Sequence, residues 1–191
     1  MTIVIVISGV PGVGKSIVAT RLAEKLKAKV INLSKFIIDN KLYVSYDNDR
    51  KTYIIDEEKA IAKIREFIEN YKDEYLIIEG HYGEIVPKEY VNLFFVLRLH
   101  PLVLYERLKE RMWDEKKIKE NVAAEILGVP TANAISVLGE HRICEINVTN
   151  MDLDNVVNRI LEIIKHGRCE KKEFIDWTTI IDFKLLERFL I

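Results

Sequence analysis

The sequence predicts an α/β fold, in which a five-stranded parallel sheet carries helices on both of its faces. Two observations lead to this prediction. First, five short apolar segments alternate along the 191-residue chain with segments whose apolar residues repeat at helical spacing. Second, the first apolar segment, residues 3–7, is a β-branched run without alternation, which is typical of a strand covered on both faces.

The predicted elements follow one another in a regular order. The strands cover residues 3–7, 29–33, 75–79, 92–97 and 144–148. The helices cover residues 15–27, a segment around 61–71, then 101–111 and 153–165. In the first helix Val18, Leu22 and Leu26 share one face, and charged residues occupy the other. Sheets of this kind bind ligands beyond the carboxyl ends of their strands, so we expect the functional side chains there.

Two stretches fall outside this alternation. Residues 34–55, the acceptor segment, are rich in Tyr, Asp and Asn. Residues 113–138, the lid segment, begin with the charged run Asp114-Glu115-Lys116-Lys117. We expect both segments to be mobile insertions above the ligand-binding edge of the sheet.

The chain is predicted to form one domain over residues 1–166, followed by a tail over 167–191. Gly167 is expected to end the last helix. A charged linker, 168–173, follows, and its basic residues are interpreted as solvated rather than as an RNA contact. Apolar residues then recur at helical spacing, which predicts that the tail packs on the body. These residues are Ile181, Leu185, Leu186, Phe189 and Leu190.

The composition, with 49% hydrophobic and 31% charged residues, describes a soluble globular protein. No apolar run approaches the roughly 20 residues that a membrane-spanning helix needs, so we expect no membrane association. Cys144 and Cys169 are far apart and form no CxxC pair, which predicts neither a disulfide nor a zinc site. A reducing, cytoplasmic location fits best. A net charge of -1 predicts no general attraction to nucleic acid.

The most specific motif is Gly9-Val10-Pro11-Gly12-Val13-Gly14-Lys15-Ser16, which matches the pattern GxxxxGK[ST]. Glycines let the backbone N–H groups at Gly12, Val13 and Gly14 turn inward around the phosphates of ATP. Lys15 neutralises the transferring group, and Ser16 is a ligand for Mg²⁺. The alternative is an incidental glycine turn. The loop follows a predicted buried strand and begins a predicted amphipathic helix, which favours the phosphate-binding interpretation.

The third predicted strand ends in Glu79-Gly80-His81. A carboxylate at this edge can hold Mg²⁺ or its bound water, so Glu79 is a candidate second metal ligand. A solvated strand end is the alternative. His81 is a candidate to position or deprotonate an attacking hydroxyl or water, because its ordinary pKa lies near neutrality. A purely structural histidine is equally compatible with the sequence.

Arg107 and Arg111 lie four residues apart on one helix, so both side chains project from one face toward the lid segment. Guanidinium groups there could bind the charge that spreads over a transferring phosphoryl group. Arg98, at the end of the fourth strand, is a third candidate for phosphate contact. The alternative is a solvated helix edge that pairs with Glu106 or Glu110. No Asn-Lys-x-Asp pattern follows the loop, which argues against a GTPase and favours adenine.

These motifs resemble, over nearly the whole chain, those of the atypical adenylate kinase family typified by a nuclear, coilin-interacting member, and most closely its archaeal members. The resemblance is also carried by segments with no assigned role so far. They are Val96-Leu97-Arg98, Leu104-Tyr105-Glu106-Arg107-Leu108 with Arg111, Asp114 to Asn121, Ala124-Glu125-Ile126 and Ile175-Asp176-Trp177.

The resemblance implies a P-loop nucleoside monophosphate kinase fold, with a monophosphate-binding insertion and a lid. It also implies adenylate kinase and ATPase activities that use ATP, Mg²⁺ and AMP or another nucleoside monophosphate. Members of the family act in maturation of the small ribosomal subunit by binding a ribosomal protein of its platform, so pre-rRNA contact is expected to be indirect. Carried over by position, Lys15, Glu79, His81, Arg107 and Arg111 are the catalytic residues.

Three residues depart from the family pattern. Glu79 stands where most members have Asp, so the carboxylate reaches about one bond length further toward the metal. Ile38 replaces an arginine, which leaves the acceptor phosphate without a fork donor, and Lys35 or Lys41 could substitute as point charges. Met112-Trp113 replaces a Gly-Tyr pair, and loss of glycine is expected to stiffen the lid hinge.

Two alternative functions remain open from the sequence. The chain could be an assembly factor whose ATP binding gates attachment to a ribosomal protein, with slow and incidental catalysis. It could also be a P-loop kinase for another small acceptor, such as a sugar or shikimate. In that case Tyr43, Tyr46 and Tyr53 would line a core rather than stack on a base.

Overall fold

The computed structural model describes residues 2–48, 51–169 and 174–190. Seven strands and nine α-helices are assigned within these ranges. The strands are β1 (Ile3–Ser8), β2 (Lys29–Asn32), β3 (Tyr43–Asp47), β4 (Thr52–Ile55), β5 (Tyr75–Glu79), β6 (Val91–Arg98) and β7 (Ile143–Asn147). The helices are α1 (Lys15–Leu26), α2 (Leu33–Asp39), α3 (Glu57–Asn70), α4 (Pro101–Glu110), α5 (Glu115–Ile126), α6 (Val129–Leu138), α7 (Leu153–His166), α8 (Trp177–Ile180) and α9 (Phe183–Leu190).

The predicted parallel sheet is confirmed. Five strands pair in the order β2-β5-β1-β6-β7, and all four pairings are parallel. Ile5 and Ile7 of the central strand are fully buried, as expected for a strand covered on both faces. The register places Glu79 beside Ile7 on one side and Asn32 on the other, so polar strand ends meet at one edge.

Two buried clusters cover the two faces of the sheet. The larger contains residues of α1, α4, α5, α7 and the tail, and the other contains residues of α3 and α6. Helix boundaries follow local signals. Asp56, Asp114 and Asp152 accept backbone N–H bonds as N-caps of α3, α5 and α7, and Gly167 ends α7 with a φ of 68°.

The acceptor segment folds into helix α2 and the antiparallel hairpin β3–β4. Its root packs as a small cluster of its own, in which Ile37, Leu42 and Ala60 are buried and Ile85 lies against them. The hairpin carries exposed apolar side chains, including Val44 and Ile54. The two strands of this segment pair with each other in a separate sheet, outside the regular alternation of the main sheet, and its mobility stays a prediction.

The lid segment forms α5 and α6, which bury one face each. Ile118 and Val122 of α5 lie in the larger core cluster. Met112, with a φ of 54°, occupies the turn between α4 and α5 in the left-handed conformation where glycine is favoured. Closure of this segment over a ligand stays a prediction. Among the described residues no single helix is long and apolar enough to span a membrane. Helices α5 and α6, which meet at a bend of 53°, reach the necessary length and apolar composition only when they are taken together.

The tail lies against the larger cluster, in which Trp177, Ile181 and Phe189 are buried. Residues 170–173 of the charged linker, including Lys171 and Lys172, lie outside the described residues.

The expectation of no disulfide is wrong. Cys144 on β7 and Cys169 after α7 are joined, with their Cα atoms 5.5 Å apart. The sequence did not indicate this pairing, since the two cysteines are 25 residues apart. Helix α7 lies between them and brings the chain back beside strand β7. The reducing location inferred from unpaired cysteines therefore loses its support.

Candidate active site

The glycine-rich loop connects β1 to α1 and is pressed against two other elements. Gly9 has a φ of 134°, and a Cβ atom there would lie 2.6 Å from the carbonyl oxygen of Leu97. Gly12 has a φ of 95°, and its Cβ would lie 2.9 Å from side-chain atoms of both Leu104 and Leu108. Glycine is thus required both for the backbone conformation and for close packing on β6 and α4.

Lys15 at the start of α1 turns its ammonium back into the loop. Its Nζ donates to the carbonyl oxygens of Gly9 at 2.9 Å and Val10 at 3.0 Å. Burial lowers its pKa to about 8, and although the charge of Glu79 opposes this shift, that of Arg111 adds to it. No carboxylate lies within ion-pair distance of Lys15 in the described ranges. A buried cation without an ion-pair partner is suited to an anionic ligand.

Three polar residues from neighbouring elements meet beside Lys15. Ser16 Oγ donates to Glu79 Oε1 at 3.0 Å, and Asn32 Nδ2 donates a short bond to the same oxygen. Glu79 is 3% exposed at the end of β5. Hydroxyl and carboxylate oxygens are the ligands that Mg²⁺ prefers, so Ser16 and Glu79 fit the metal of a Mg–ATP complex. Asn32 was missed from the sequence, although it is a polar strand end like Glu79.

His81 follows β5 and is partly buried, with its ring centroid 3.9 Å from that of Tyr82. Burial lowers its pKa to about 4, and the charges of Lys15 and Lys117 lower it further. The imidazole is therefore neutral at pH 7, and with this pKa it is a weak base until an anion binds nearby. The charges of Lys15 and Lys117 both act on His81, so this residue lies near the phosphate loop and the lid segment.

Helix α4 carries the two predicted arginines. Arg107 is partly buried, and Arg111 is an exposed residue that caps the C-terminal end of α4. The charge of Arg111 acts on Lys15, so the two cations lie near each other. No contact of Arg107 with the loop side chains is seen in the described part of the chain. The phosphate roles of both arginines stay predictions.

Arg98 is not a phosphate ligand, and this expectation is wrong. Its side chain is 1% exposed and forms ion pairs with Glu125, at 2.8 Å, and with Glu145. An arginine at a strand end was expected to face the ligand-binding edge of the sheet. Instead, the Arg98 side chain at the end of β6 lies in the protein interior, where it pairs with Glu125 of α5.

Lys117 is a candidate site residue that the sequence alone did not single out. It lies in the first turn of α5, with its ammonium 4.8 Å from the ring centre of Trp113. Its charge acts on His81, and none of the described carboxylates lies within ion-pair distance of it. A cation is disfavoured at a helix N-terminus unless an anion is nearby. The feature of the sequence that could have indicated this residue was the pair Lys116 and Lys117 in the charged run at the start of the lid segment.

A groove beside Ser16 extends the site along α1 toward α7. It has a volume of about 440 Å³. It is lined by Ser16, Ile17, Thr20, Arg21, Glu24, Leu153 and Asp154. Pockets of a few hundred Å³ accommodate molecules of nucleoside size, and this one opens next to the residue that would hold the metal.

Comparisons with known proteins agree with this arrangement. A family profile described as an AAA domain matches residues 5–128. A protein of Sulfurisphaera tokodaii named "Putative adenylate kinase" is 42% identical over 177 residues, which cover 93% of this chain and 87% of its own. A protein of the same name from Methanocaldococcus jannaschii is 37% identical over 184 residues, which cover 96% and 98% of the two chains.

Solved structures with low sequence identity share the fold. Shikimate kinase from Bacteroides thetaiotaomicron superposes with a TM-score of 0.58 at 17% identity, covering 85% of this chain and 98% of that one. A gluconokinase from Sinorhizobium meliloti gives a TM-score of 0.53 at 19% identity, covering 86% and 92%. The surroundings of Lys15, Glu79 and His81 are therefore built on the scaffold of a P-loop kinase.

Proposed function

We propose that this chain, which belongs to the family of archaeal adenylate kinases, transfers the terminal phosphoryl group of Mg–ATP to AMP. It is a P-loop nucleotide kinase and hence an enzyme. The observation that carries the finer proposal is the juxtaposition of Lys15, a buried ammonium without an ion pair in the described chain, with the Ser16–Glu79 pair and His81.

The donor phosphates would be bound by the loop. Its backbone N–H groups and Lys15 would neutralise the phosphoryl group as charge spreads over its oxygens. Ser16 and Glu79 would hold Mg²⁺, which supplies further charge neutralisation when it is bound. Asn32, by donating to Glu79, fixes the orientation of that carboxylate.

His81 would have different roles in ATP hydrolysis and in phosphoryl transfer to AMP. The phosphate of AMP is already ionised near neutral pH, since its second pKa is about 6, and needs no base to attack. Water must lose a proton when it attacks, and the imidazole of His81 could accept it once the bound phosphates offset the charges of Lys15 and Lys117 and raise its pKa. We therefore assign His81 to ATP hydrolysis and to positioning of the acceptor, rather than to proton transfer in the kinase reaction.

The acceptor phosphate would be bound by Lys117. Ile38 offers no donor, and the ammonium of Lys35 is 2.9 Å from the carboxylate of Asp39. Lys117 is free of ion pairs in the described chain and lies on the same side as His81. A single ammonium binds phosphate with less geometric specificity than an arginine fork, so a weak affinity for AMP is expected.

A second role, binding of a small-subunit platform ribosomal protein with indirect pre-rRNA contact, is supported by the sequence resemblance and by one surface. Val44, Tyr46 and Ile54 of the hairpin are 64%, 46% and 47% exposed. Several exposed apolar side chains on one short hairpin are compatible with a protein interface. Stimulation of AMP-independent hydrolysis by the ribosomal protein would support this role, and strong AMP stimulation with no effect of that protein would exclude it.

The direct test is an acceptor panel. The purified chain is incubated with Mg–ATP and each nucleoside monophosphate, shikimate or gluconate, and the products are identified by chromatography. Formation of two ADP from ATP and AMP is expected, with no transfer in Lys15→Ala and full transfer in the control Lys25→Ala, whose lysine is exposed on the same helix. Transfer to a sugar or shikimate but not to AMP would overturn the proposal.

A further inference from the structure

Three sequence segments without a role in the site come together behind the phosphate loop. Glu125 Oε1 accepts from Arg98 Nε at 2.8 Å, from the backbone N–H of Leu99 at 3.1 Å and from Trp177 Nε1 at 2.8 Å. These residues come from β6, α5 and the tail. The side chains of Arg98 and Glu125 are 1% and 0% exposed, so this contact is sealed from water.

A second carboxylate completes the network. Glu145 on β7 pairs with Arg98 and accepts from Thr131 of α6. It also accepts from the backbone N–H of Ile175 at 2.6 Å, and Arg98 Nη1 donates to the carbonyl of Ile175 at 3.2 Å. The tail thus contributes two backbone bonds and one indole bond to a buried cluster of one cation and two carboxylates.

The network binds Glu125, at the C-terminal end of α5, through both the side chain and the backbone carbonyl of this residue. Arg98 Nη2 donates to the carbonyl oxygen of Glu125 at 2.8 Å, in addition to the side-chain pair. The other end of this 12-residue helix carries Lys117. Because a helix of this length is rigid, fixing Glu125 sets where Lys117 lies relative to the phosphate loop.

The far end of the tail holds the neighbouring helix. Phe189 packs on Tyr105 of α4 with ring centroids 5.4 Å apart, and the guanidinium of Arg188 lies 4.3 Å from the centre of the same ring. Helix α4 also carries Arg107, and Arg111 caps its C-terminal end. The disulfide at Cys169 attaches the start of the tail to β7, next to Glu145.

We propose that the C-terminal segment 174–190 is a positioning element for phosphoryl transfer, in which Trp177 is the central residue. It fixes α5 and α4, and through them Lys117 and Arg111, relative to Lys15. Buried ion pairs contribute little net stability, and in some proteins they specify one arrangement of the elements that they join, which is the role inferred for this network. This inference rests on the proposed kinase function and extends it to residues that touch no substrate.

The test uses the full chain with Trp177→Phe. Phenylalanine keeps a ring against His100, whose centroid is 5.4 Å from that of Trp177, but removes the N–H donor to Glu125. We expect kcat to fall about tenfold, with KM for ATP changed less than about twofold, because misplaced groups affect the transition state more than ground-state binding.

Two controls separate positioning from stability. Phe183→Leu changes a residue of the same tail that is 71% exposed, and should leave kcat unchanged. Ile68→Val lowers stability in the opposite core cluster and should also leave kcat unchanged at a temperature where it is folded. An unchanged kcat in Trp177→Phe, or an equal loss in Ile68→Val, would overturn the proposal.

Hydrogen exchange keeps the inference independent of the proposed function. Exchange of the α5 amides should be faster in Trp177→Phe than in wild type, because the variant lacks the N–H donor to Glu125. If wild type transfers no phosphate, the proposed function fails, whereas unchanged exchange of the α5 amides would refute the tail's positioning role.

If Trp177→Phe does not fold, Arg188→Gln tests the second contact of the tail, the one with Tyr105 of α4, from the exposed side. Arg188 lies on Tyr105 at the surface, so its loss should not prevent folding. We expect about a twofold decrease in kcat, with KM unchanged. An unchanged kcat would contradict the proposal.

Discussion

The donor and acceptor halves of the site are built differently. The donor half lies on strand ends and a glycine loop packed into the main core, where Glu79 is 3% exposed and Gly12 touches two leucines of α4. Apart from Lys117, which lies in the lid segment, the acceptor half consists of α2 and a hairpin that has its own small buried cluster. Tyr46 and Tyr53 on that hairpin are 46% and 36% exposed.

The difference follows from what each half must do. Phosphates of ATP need a preorganised set of donors, which a rigid scaffold supplies without reorganisation. An acceptor must enter and leave, and segments with few buried contacts open at low free energy. Substitutions in the donor half should therefore affect all activities strongly, and those in the acceptor half should affect one substrate weakly.

The largest effect is expected for Lys15→Met. Removal of the ammonium should lower both transfer and hydrolysis by about 10³-fold. The same change should raise thermal stability at pH 7, because burial of the ammonium disfavours its charged form. Since the folded pKa of about 8 lies below the ordinary lysine pKa of 10.5, unfolded chains bind more protons between these values. Wild-type stability should rise with pH across this window, and Lys15→Met should lack that rise in thermal melts.

Gly12→Ala should reduce activity by about 10²-fold and destabilise the fold by about 1–3 kcal/mol, because the methyl group meets Leu104 and Leu108. Gly167→Ala is the matched control, since Gly167 also has positive φ but its Cβ would meet nothing within 4 Å. The difference between the two variants in denaturant unfolding measures the contact with α4. Equal losses would show that the donor loop is not held by packing.

His81→Asn should divide the two activities. We expect hydrolysis without AMP to fall about tenfold or more, and transfer to AMP to fall less than about threefold, because only water needs a base. Binding of a polyphosphate anion should also raise the pKa of His81 above its value of about 4, since negative charge favours the imidazolium. Titration of the imidazole by NMR, with and without a nonhydrolysable ATP analogue, checks this shift. A parallel loss of both activities would argue for a structural role.

The smallest effect is expected for Tyr46→Ala in the hairpin. KM for AMP should increase about threefold, by loss of stacking area, while hydrolysis without acceptor and stability stay close to wild type. Val44→Ala, at another exposed position of the same strand, is the control and should leave KM for AMP unchanged. Initial rates at varied AMP decide the matter. An increased KM for ATP instead would place the hairpin on the donor side.

The elements with strong local patterns were predictable from the sequence. The run Tyr75–Glu79 coincides with β5, and the apolar stripe with its closing Gly167 located α7 to within one residue. The candidate site was predictable where it depends on chain-local chemistry, since Gly12, Lys15 and Ser16 act within one loop. Asn32 and Lys117 were harder to predict. Asn32 acts through Glu79, which is nearly 50 positions away, and Lys117 acts on His81, which is about 36 positions away.

The sequence by itself determined the parallel α/β fold, the phosphate loop and the carboxylate at the end of β5, because hydrophobic periodicity and glycine chemistry act over a few residues. Only the tertiary structure decided that Arg98 faces Glu125 and Glu145, that Cys144 meets Cys169, and that Trp177 closes the same buried network. These contacts join residues brought together by strand order and chain return. Their partners depend on the assembled fold, which no local sequence pattern encodes.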